Sequence, residues 1–345
     1  MIDALAYVLR QPGVVPEIEE ILVEDQLQSG QVLIKILHTS FCGTQVEEIY
    51  QSSRNAQHMP HLFGHEASAK VLEIGPGVET ILKGEEAVVH WRKSSRGLDA
   101  ISGRYIGKGG LLGAGKVVTW STHAVVPENR LSPFPTGTSS SRAALLGCSY
   151  ATGWGAAVKT GRLKVGETVL VIGFGGVGRA AVIACRENGA STIAVVDPRN
   201  LRTSDLNALG VTHVYSSVEH ALSEFAASKS TWPDLVIDTA GVVDGLEKVI
   251  AQIPTKSRIV LVGMPKNGRK LELDTQRLLD GLAIYGSNGG DVDPGLDFQS
   301  MSSGLDKYVG IPKESGVMEL DWKDLKKALE MHNSGLSTKT IFSVA

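Results

Sequence analysis

Between Thr168 and about Ser287, apolar residues come in continuous runs of four to six, separated by longer stretches compatible with helices. The runs are TVLVIG, TIAVVD, DLVIDTAG, RIVLVG and LAIYGS, with VTHVYSS as a less distinct further strand. A strand that buries one face alternates apolar and polar residues. One that is apolar throughout buries both faces, as in the middle of a parallel sheet. The pattern therefore predicts a doubly wound α/β domain over residues 150–284, its helices forming right-handed crossovers.

The first part of the chain has a different rhythm. QVLIKILHTSF, ASAKVLEIG, EEAVVHW and THAVVPENRL are short, often alternating runs punctuated by Gly and Pro, which predicts a compact, mostly antiparallel β domain over residues 1–149. Beyond the loop NGGDVDPG, the segment DWKDLKKALEMHNSG places Leu325, Ala328 and Leu329 on one helical face and Gly335 at its end. KTIFSV then reads as a terminal strand, so residues 285–345 are expected to return to the first domain.

Composition narrows the function without naming it. The chain has 345 residues, 42% hydrophobic and 21% charged, with a formal net charge of −3, which is ordinary for a globular protein and offers no basic surface for nucleic acid. No stretch approaches the ~18 apolar residues of a membrane helix, and the first residues lack a signal-peptide pattern. A soluble, cytoplasmic protein is expected. Three cysteines make a poor disulfide framework, leaving free thiols or metal ligands as the readings. The 39 glycines exceed the usual ~7% share and call for tight turns or close backbone approaches.

One such approach is legible. Gly173-Phe174-Gly175-Gly176-Val177-Gly178 directly follows TVLVIG and precedes the helix-compatible RAAVIACREN, the context that a dinucleotide-binding turn requires. Gly173 would permit the turn, Gly175 would let backbone approach a pyrophosphate, and Gly178 would let helix and strand pack closely. Asp197 ends the next strand, 19 residues after Gly178, where a carboxylate accepts bonds from ribose hydroxyls and repels a 2′-phosphate. NAD is favoured over NADP, although Arg199 and Arg202 follow closely and could meet a phosphate if the loop turned.

Cys42, His65 and Cys148 are the candidate metal ligands, because thiolate and imidazole suit Zn²⁺ and three protein ligands leave a position for substrate. Cys42 and His65 sit in the turn-like FCGT and FGHE, and Cys148 precedes the cofactor domain. The competing reading is that free cysteines are buried hydrophobes. Cys185, inside the helix after the glycine turn, is assigned to packing. Other histidines, His58, His61, His90 and His123, lack a neighbouring cysteine.

FCGT at 41–44, GHE at 64–66, the glycine turn and LGCSYATGWGA at 146–156, in this order, resemble the medium-chain, zinc-containing alcohol dehydrogenase family. The resemblance covers nearly the whole chain. It implies a GroES-like catalytic domain and a Rossmann domain, with one zinc on Cys42, His65 and Cys148 and Glu66 behind, or transiently on, the metal. It also implies that Thr44 takes the substrate proton, that Thr152, Val177 and Val262 line the nicotinamide pocket, and that Lys339 faces the pyrophosphate. A homodimer or homotetramer is implied as well.

Three departures matter. The stretch HWRKSSRGLDAISGRYIGKGG lacks the four cysteines that hold a second, structural zinc in many relatives. Gln45 replaces the carboxylate that commonly follows Thr44, and Glu47 stands where some members have a relay histidine. The resemblance places His90, Trp91 and Arg92, with Lys93, near the substrate cleft, which points to a polar or anionic alcohol, polyol, sugar or sugar phosphate; a solvated basic loop is the other reading. A zinc-free quinone or enoyl reductase, and a non-catalytic dinucleotide-binding protein, are the rival functions.

Overall fold

The computed structural model describes residues 1–50, 59–199, 201, 203–228, 232–265, 268–310, 316–335 and 339–344. The chain divides into two compact units. The first comprises Met1–Cys148, Asp293–Ser302 and Val317–Ala345, and the second Ser149–Val292 and Ser303–Gly316. Relative to the expected boundaries, segments 285–292 and 303–316 group with the second unit.

The first unit begins with strands β1 (Ile2–Leu9), β2 (Glu17–Val23), β3 (Gln31–Phe41), β4 (His61–Leu62) and β5 (Glu66–Ile74). It continues with β6 (Glu86–His90), β7 (Tyr105–Gly107), β8 (Gly110–Leu112), β9 (His123–Pro127) and β10 (Leu131–Pro133). The second unit holds β11 (Thr168–Ile172), β12 (Thr192–Val196), β13 (His213–Tyr215), β14 (Leu235–Asp238), β15 (Arg258–Leu261) and β16 (Ala283–Gly286). β17 (Val317–Asp321) and β18 (Lys339–Ser343) return to the first unit.

In the first unit, one sheet runs β4-β1-β2-β7-β8 and a second runs β10-β6-β5-β3-β18-β17, with β9 also on β3. Apart from the parallel β17–β18 pair, these strands pair antiparallel. β1 and β2 carry no strand signal in the sequence reading. β2, EIEEILV, has three glutamates in seven residues, and its strand state rests on pairing with β1 along its whole length. Between the sheets, Ile34, Ile36, Val71, Val89, Val125 and Leu62 form the core. A second, aromatic cluster joins Phe41, Phe63, Trp120 and Phe342, the Phe63 and Trp120 rings lying 4.8 Å apart. Those rings hold the two chain segments that lead into Cys42 and His65.

The cysteine-free stretch after β6 is organised by a carboxylate. Glu128, 1% exposed, accepts bonds from the backbone N–H groups of Glu79 at 2.7 Å, Thr80 at 2.5 Å and Leu98 at 2.7 Å, and from Thr80 Oγ1 at 2.8 Å. Burial alone would raise its pKa, but these donors outweigh it and hold the carboxyl below its ordinary value. A depressed carboxyl contributes stability that is complete above its unfolded pKa and lost as pH falls through the folded one. Glu128→Ala strands several buried donors, so a loss of ~2–4 kcal/mol is expected in urea denaturation. A loss under ~1 kcal/mol would mean the loop is held by other contacts.

The second unit is a six-stranded parallel sheet in the order β13-β12-β11-β14-β15-β16. β11 and β12 are buried along nearly their whole length, which explains their continuous apolar runs. Helix Gly176–Glu187 follows β11, and Cys185 lies buried within it, its thiol pushed up by burial to about 12. Among the described residues, no helix is long and apolar enough to cross a membrane.

Candidate functional site

Three chain segments of the first unit converge on one point. Cys42 follows β3 immediately and opens helix Gly43–Tyr50, its carbonyl accepting Gln45 N–H at 3.0 Å. His65 lies between β4 and β5 behind Gly64, which has φ +99°. A Cβ at Gly64 would stand 2.5 Å from Thr119 Oγ1 and 2.6 Å from Trp120 N, so only glycine lets the chain turn there. Cys148 ends the short turn Leu145–Gly147.

The ligand atoms of Cys42, His65, Glu66 and Cys148 all lie within 4.8 Å of one another. Zinc bonds of ~2.0–2.3 Å to N and S imply tetrahedral edges of about 3.3–3.8 Å, so small adjustments suffice to close the set around an ion. The donors are soft sulfur and imidazole beside a carboxylate. The Cys148 thiol donates to Cys42 and drives Cys42 well below its ordinary pKa, while the same contact drives Cys148 well above. Burial would lower His65, but its hydrogen bond and proximity to Cys42 raise it. Thiolate and imidazole are the donors that Zn²⁺ takes, and Zn²⁺ fits this set.

Gln45, fully buried, supports the set from behind. Its Oε1 accepts Cys42 N–H at 2.8 Å and its Nε2 sits 2.6 Å from His65 Nδ1, so the amide fixes both the cysteine backbone and the orientation of the imidazole ring. Glu66, also fully buried, forms an ion pair with Lys339, which is 4% exposed.

Residues 28–136 match the alcohol dehydrogenase GroES-like domain and residues 176–306 the zinc-binding dehydrogenase family. The chain belongs to the zinc-type, medium-chain alcohol dehydrogenase family. Its relatives include an alcohol dehydrogenase class-2 isozyme 2 of Oryctolagus cuniculus, 26% identical over 99% of this chain and 98% of that one. An S-(hydroxymethyl)glutathione dehydrogenase of Photobacterium damsela subsp. piscicida is 24% identical over 96% of each chain. Among solved structures, an alcohol dehydrogenase zinc-binding domain protein from Burkholderia ambifaria superposes with a TM-score of 0.87 at 23% identity, covering 100% of this chain and 99% of that one.

The glycine turn lies in the second unit. Gly173 has φ +90°, and a Cβ at Gly178 would stand 2.0 Å from Gly173 O, so strand and helix meet there backbone to backbone. Gly175 is exposed with open space where a Cβ would be, a cradle for an approaching phosphate, and Gly176 and Val177 begin the helix beside it. Thr152 is buried in helix Ser149–Gly155, and Val262 follows β15 with its N–H on Asp238 O at 2.9 Å.

Asp197 sits at the end of β12 with its carboxylate engaged. Arg199 meets it with Nε at 2.8 Å and Nη2 at 2.9 Å, and Phe174 N–H with 2.8 Å. Burial would raise Asp197, but these donors lower it. Arg202 and His58 lie outside the described residues.

Lys339, His90 and Glu47 have surroundings that the sequence did not disclose. Lys339, expected to face a pyrophosphate, places its ammonium on Glu66, because a fully buried carboxylate needs a counter-charge. His90 was expected in the substrate cleft, but it is fully buried, its Nδ1 on Arg92 O at 2.6 Å and Nε2 on Ser132 Oγ at 3.0 Å. Desolvation lowers it to about 4, so the ring stays neutral with both nitrogens engaged. Glu47, which stands where some relatives have a relay histidine, is turned outward into solvent by helix Gly43–Tyr50, while Glu48 is turned inward. Trp91 and Arg92 are half-buried, the guanidinium 5.9 Å from the indole centroid.

Glu48 escaped the sequence reading. The available signal was the helical register: Glu48 lies four residues beyond Thr44 and so shares its face.

Proposed function

We propose that this chain is a zinc-dependent, NAD-linked dehydrogenase that interconverts an alcohol and its carbonyl on a polar, hydroxylated substrate. The observation that carries the reading is the convergence of Cys42, His65 and Cys148, with Glu66, inside 4.8 Å. When bound, zinc would supply Lewis-acid polarisation of the substrate oxygen, and NAD would supply the hydride acceptor.

The chain's own residues have these roles. Cys42, His65 and Cys148 hold the metal, and Glu66, neutralised by Lys339, stands behind it. Gln45 orients His65 and Cys42. Thr44 Oγ1, buried without a hydrogen-bond partner, accepts the substrate hydroxyl proton in passing and hands it onward. In the second unit Gly173, Gly175, Gly176 and Gly178 seat the pyrophosphate on the helix start. Thr152, Val177 and Val262 line the nicotinamide, and Asp197 binds the adenosine ribose. Trp91 and Arg92 favour a polar or anionic substrate, in keeping with the glutathione adduct named for one relative.

The preference for NAD rests on Asp197. Ribose hydroxyls must take over bonds now made by Arg199, and a 2′-phosphate would face the carboxylate. Asp197→Ala is expected to weaken NADH ~10-fold or more and to narrow its margin over NADPH, read from fluorescence titration. Equal loss for both cofactors would mean that Asp197 only shapes the loop.

Elemental analysis tests the metal. About one zinc per chain, with alcohol-dependent NAD reduction, supports the proposal. Metal-free protein from zinc-replete expression that still reduces quinones or enones would replace it with the zinc-free reductase. Zinc without any NADH binding would point to a non-catalytic role.

A further inference from the structure

Glu48 is a half-buried ionisable group that the proposed chemistry does not use. It shares one face of helix Gly43–Tyr50 with Thr44, one turn earlier, and both Thr44 Oγ1 and Glu48 Oε2 are buried without a hydrogen-bond partner. Glu48 also lines a cleft of about 640 Å³ in the first unit, together with His65, Phe63, Arg104, Leu112 and Val117. A buried acceptor left unpaired is costly, so two on one face, beside a metal ligand, mark where donors arrive from outside the chain.

Resting on the dehydrogenase reading, we propose that Glu48 is a substrate-positioning residue that accepts a hydrogen bond from a second hydroxyl of the substrate, selecting diols and polyols over simple alcohols. Thr44 meets the hydroxyl to be oxidised, and Glu48 meets its neighbour. Apolar Phe63, Leu112 and Val117 in the wall receive the carbon skeleton. Burial raises the Glu48 carboxyl, ahead of the opposing influence of His65, so a neutral hydroxyl suits it as a partner. A site built to bond a hydroxyl rejects the analogue that lacks it, because its own polar atom is then stranded.

The test compares 2,3-butanediol with 2-butanol on zinc-loaded wild type, Glu48→Gln and Glu48→Leu, with dissociation constants from calorimetry in the presence of NADH. Wild type is expected to bind the diol at least about tenfold more tightly. Glu48→Leu should erase that margin by weakening the diol alone, and Glu48→Gln should keep part of it. An unchanged diol-to-alcohol ratio in Glu48→Leu, or no diol preference in wild type, overturns the proposal. Zinc content and NADH quenching, recorded on the same samples, separate the two failures. Zinc-loaded, NADH-binding protein without the preference sinks the Glu48 assignment alone, whereas protein lacking zinc sinks the dehydrogenase reading and this assignment with it.

Discussion

Cys148→Ser is expected to lose most of its zinc and nearly all alcohol oxidation. Removing outer partners of metal ligands already costs ~10–100-fold in metal affinity or activity, and loss of a thiolate from a three-ligand set should exceed that range. The serine hydroxyl keeps the size of the side chain but not the soft anionic donor, so the fold survives while the set falls to Cys42, His65 and a Glu66 claimed by Lys339. Elemental analysis and steady-state rates on the same preparation check this. Cys185→Ala is the control: that cysteine is fully buried in the helix after the glycine turn and should keep both zinc and rate, at the cost of packing only. Full zinc occupancy in Cys148→Ser would remove Cys148 from the ligand set.

Lys339→Met is expected to carry the largest stability effect. Its ammonium and the Glu66 carboxylate are 4% and 0% exposed, and methionine leaves a carboxylate buried without its counter-charge. Breaking such a pair from one side typically costs ~3–5 kcal/mol, whereas replacing both partners is much milder. The double variant Glu66→Gln/Lys339→Met should therefore recover most of the loss. Urea denaturation of zinc-depleted wild type, both single variants and the double variant closes the cycle. Additive losses would mean that the two groups act independently. β18 carries Lys339 to Glu66 by pairing antiparallel with β3, which in turn pairs with β5, so the ion pair also ties the C-terminal strand to the metal site.

The two halves of the chain differed in how much their sequence disclosed. In the second unit β11, β12, β14, β15 and β16 lie in nearly continuous apolar runs, so TVLVIG, TIAVVD, DLVIDTAG, RIVLVG and LAIYGS could be read without knowing their neighbours. The glycine turn was equally local, since its conformational demand lies within six consecutive residues. β1 and β2 were not legible because their strand state depends on each other: β2 exposes glutamates along its length and is stabilised by seven cross-strand partners. The β7–β8 hairpin, three residues on each side, is likewise too short to signal itself.

At the site, sequence order identified the ligand types through motifs, and the register of one short helix decided the rest. Glu47 and Glu48 are adjacent and chemically identical, yet a rotation of about 100° per residue sends one to solvent and the other into the cleft wall. The partners of Lys339 and His90 were not legible for a related reason. A side chain's partner is set by which strand lies beside its own, and β18 on β3 or β10 on β6 joins residues far apart in the chain.

By itself, then, the order of residues determined what needs only neighbours along the chain: the parallel-sheet strands, the glycine turn, and the presence of thiol and imidazole donors of the kind that suit zinc. The tertiary structure alone decided what needs neighbours across the chain: that Cys42, His65 and Cys148 meet, that Glu66 is neutralised by Lys339, and that Glu48 faces inward. Local conformation is governed by backbone sterics and propensity, which act over a few residues, whereas burial and charge pairing are settled only when distant strands close around a common core.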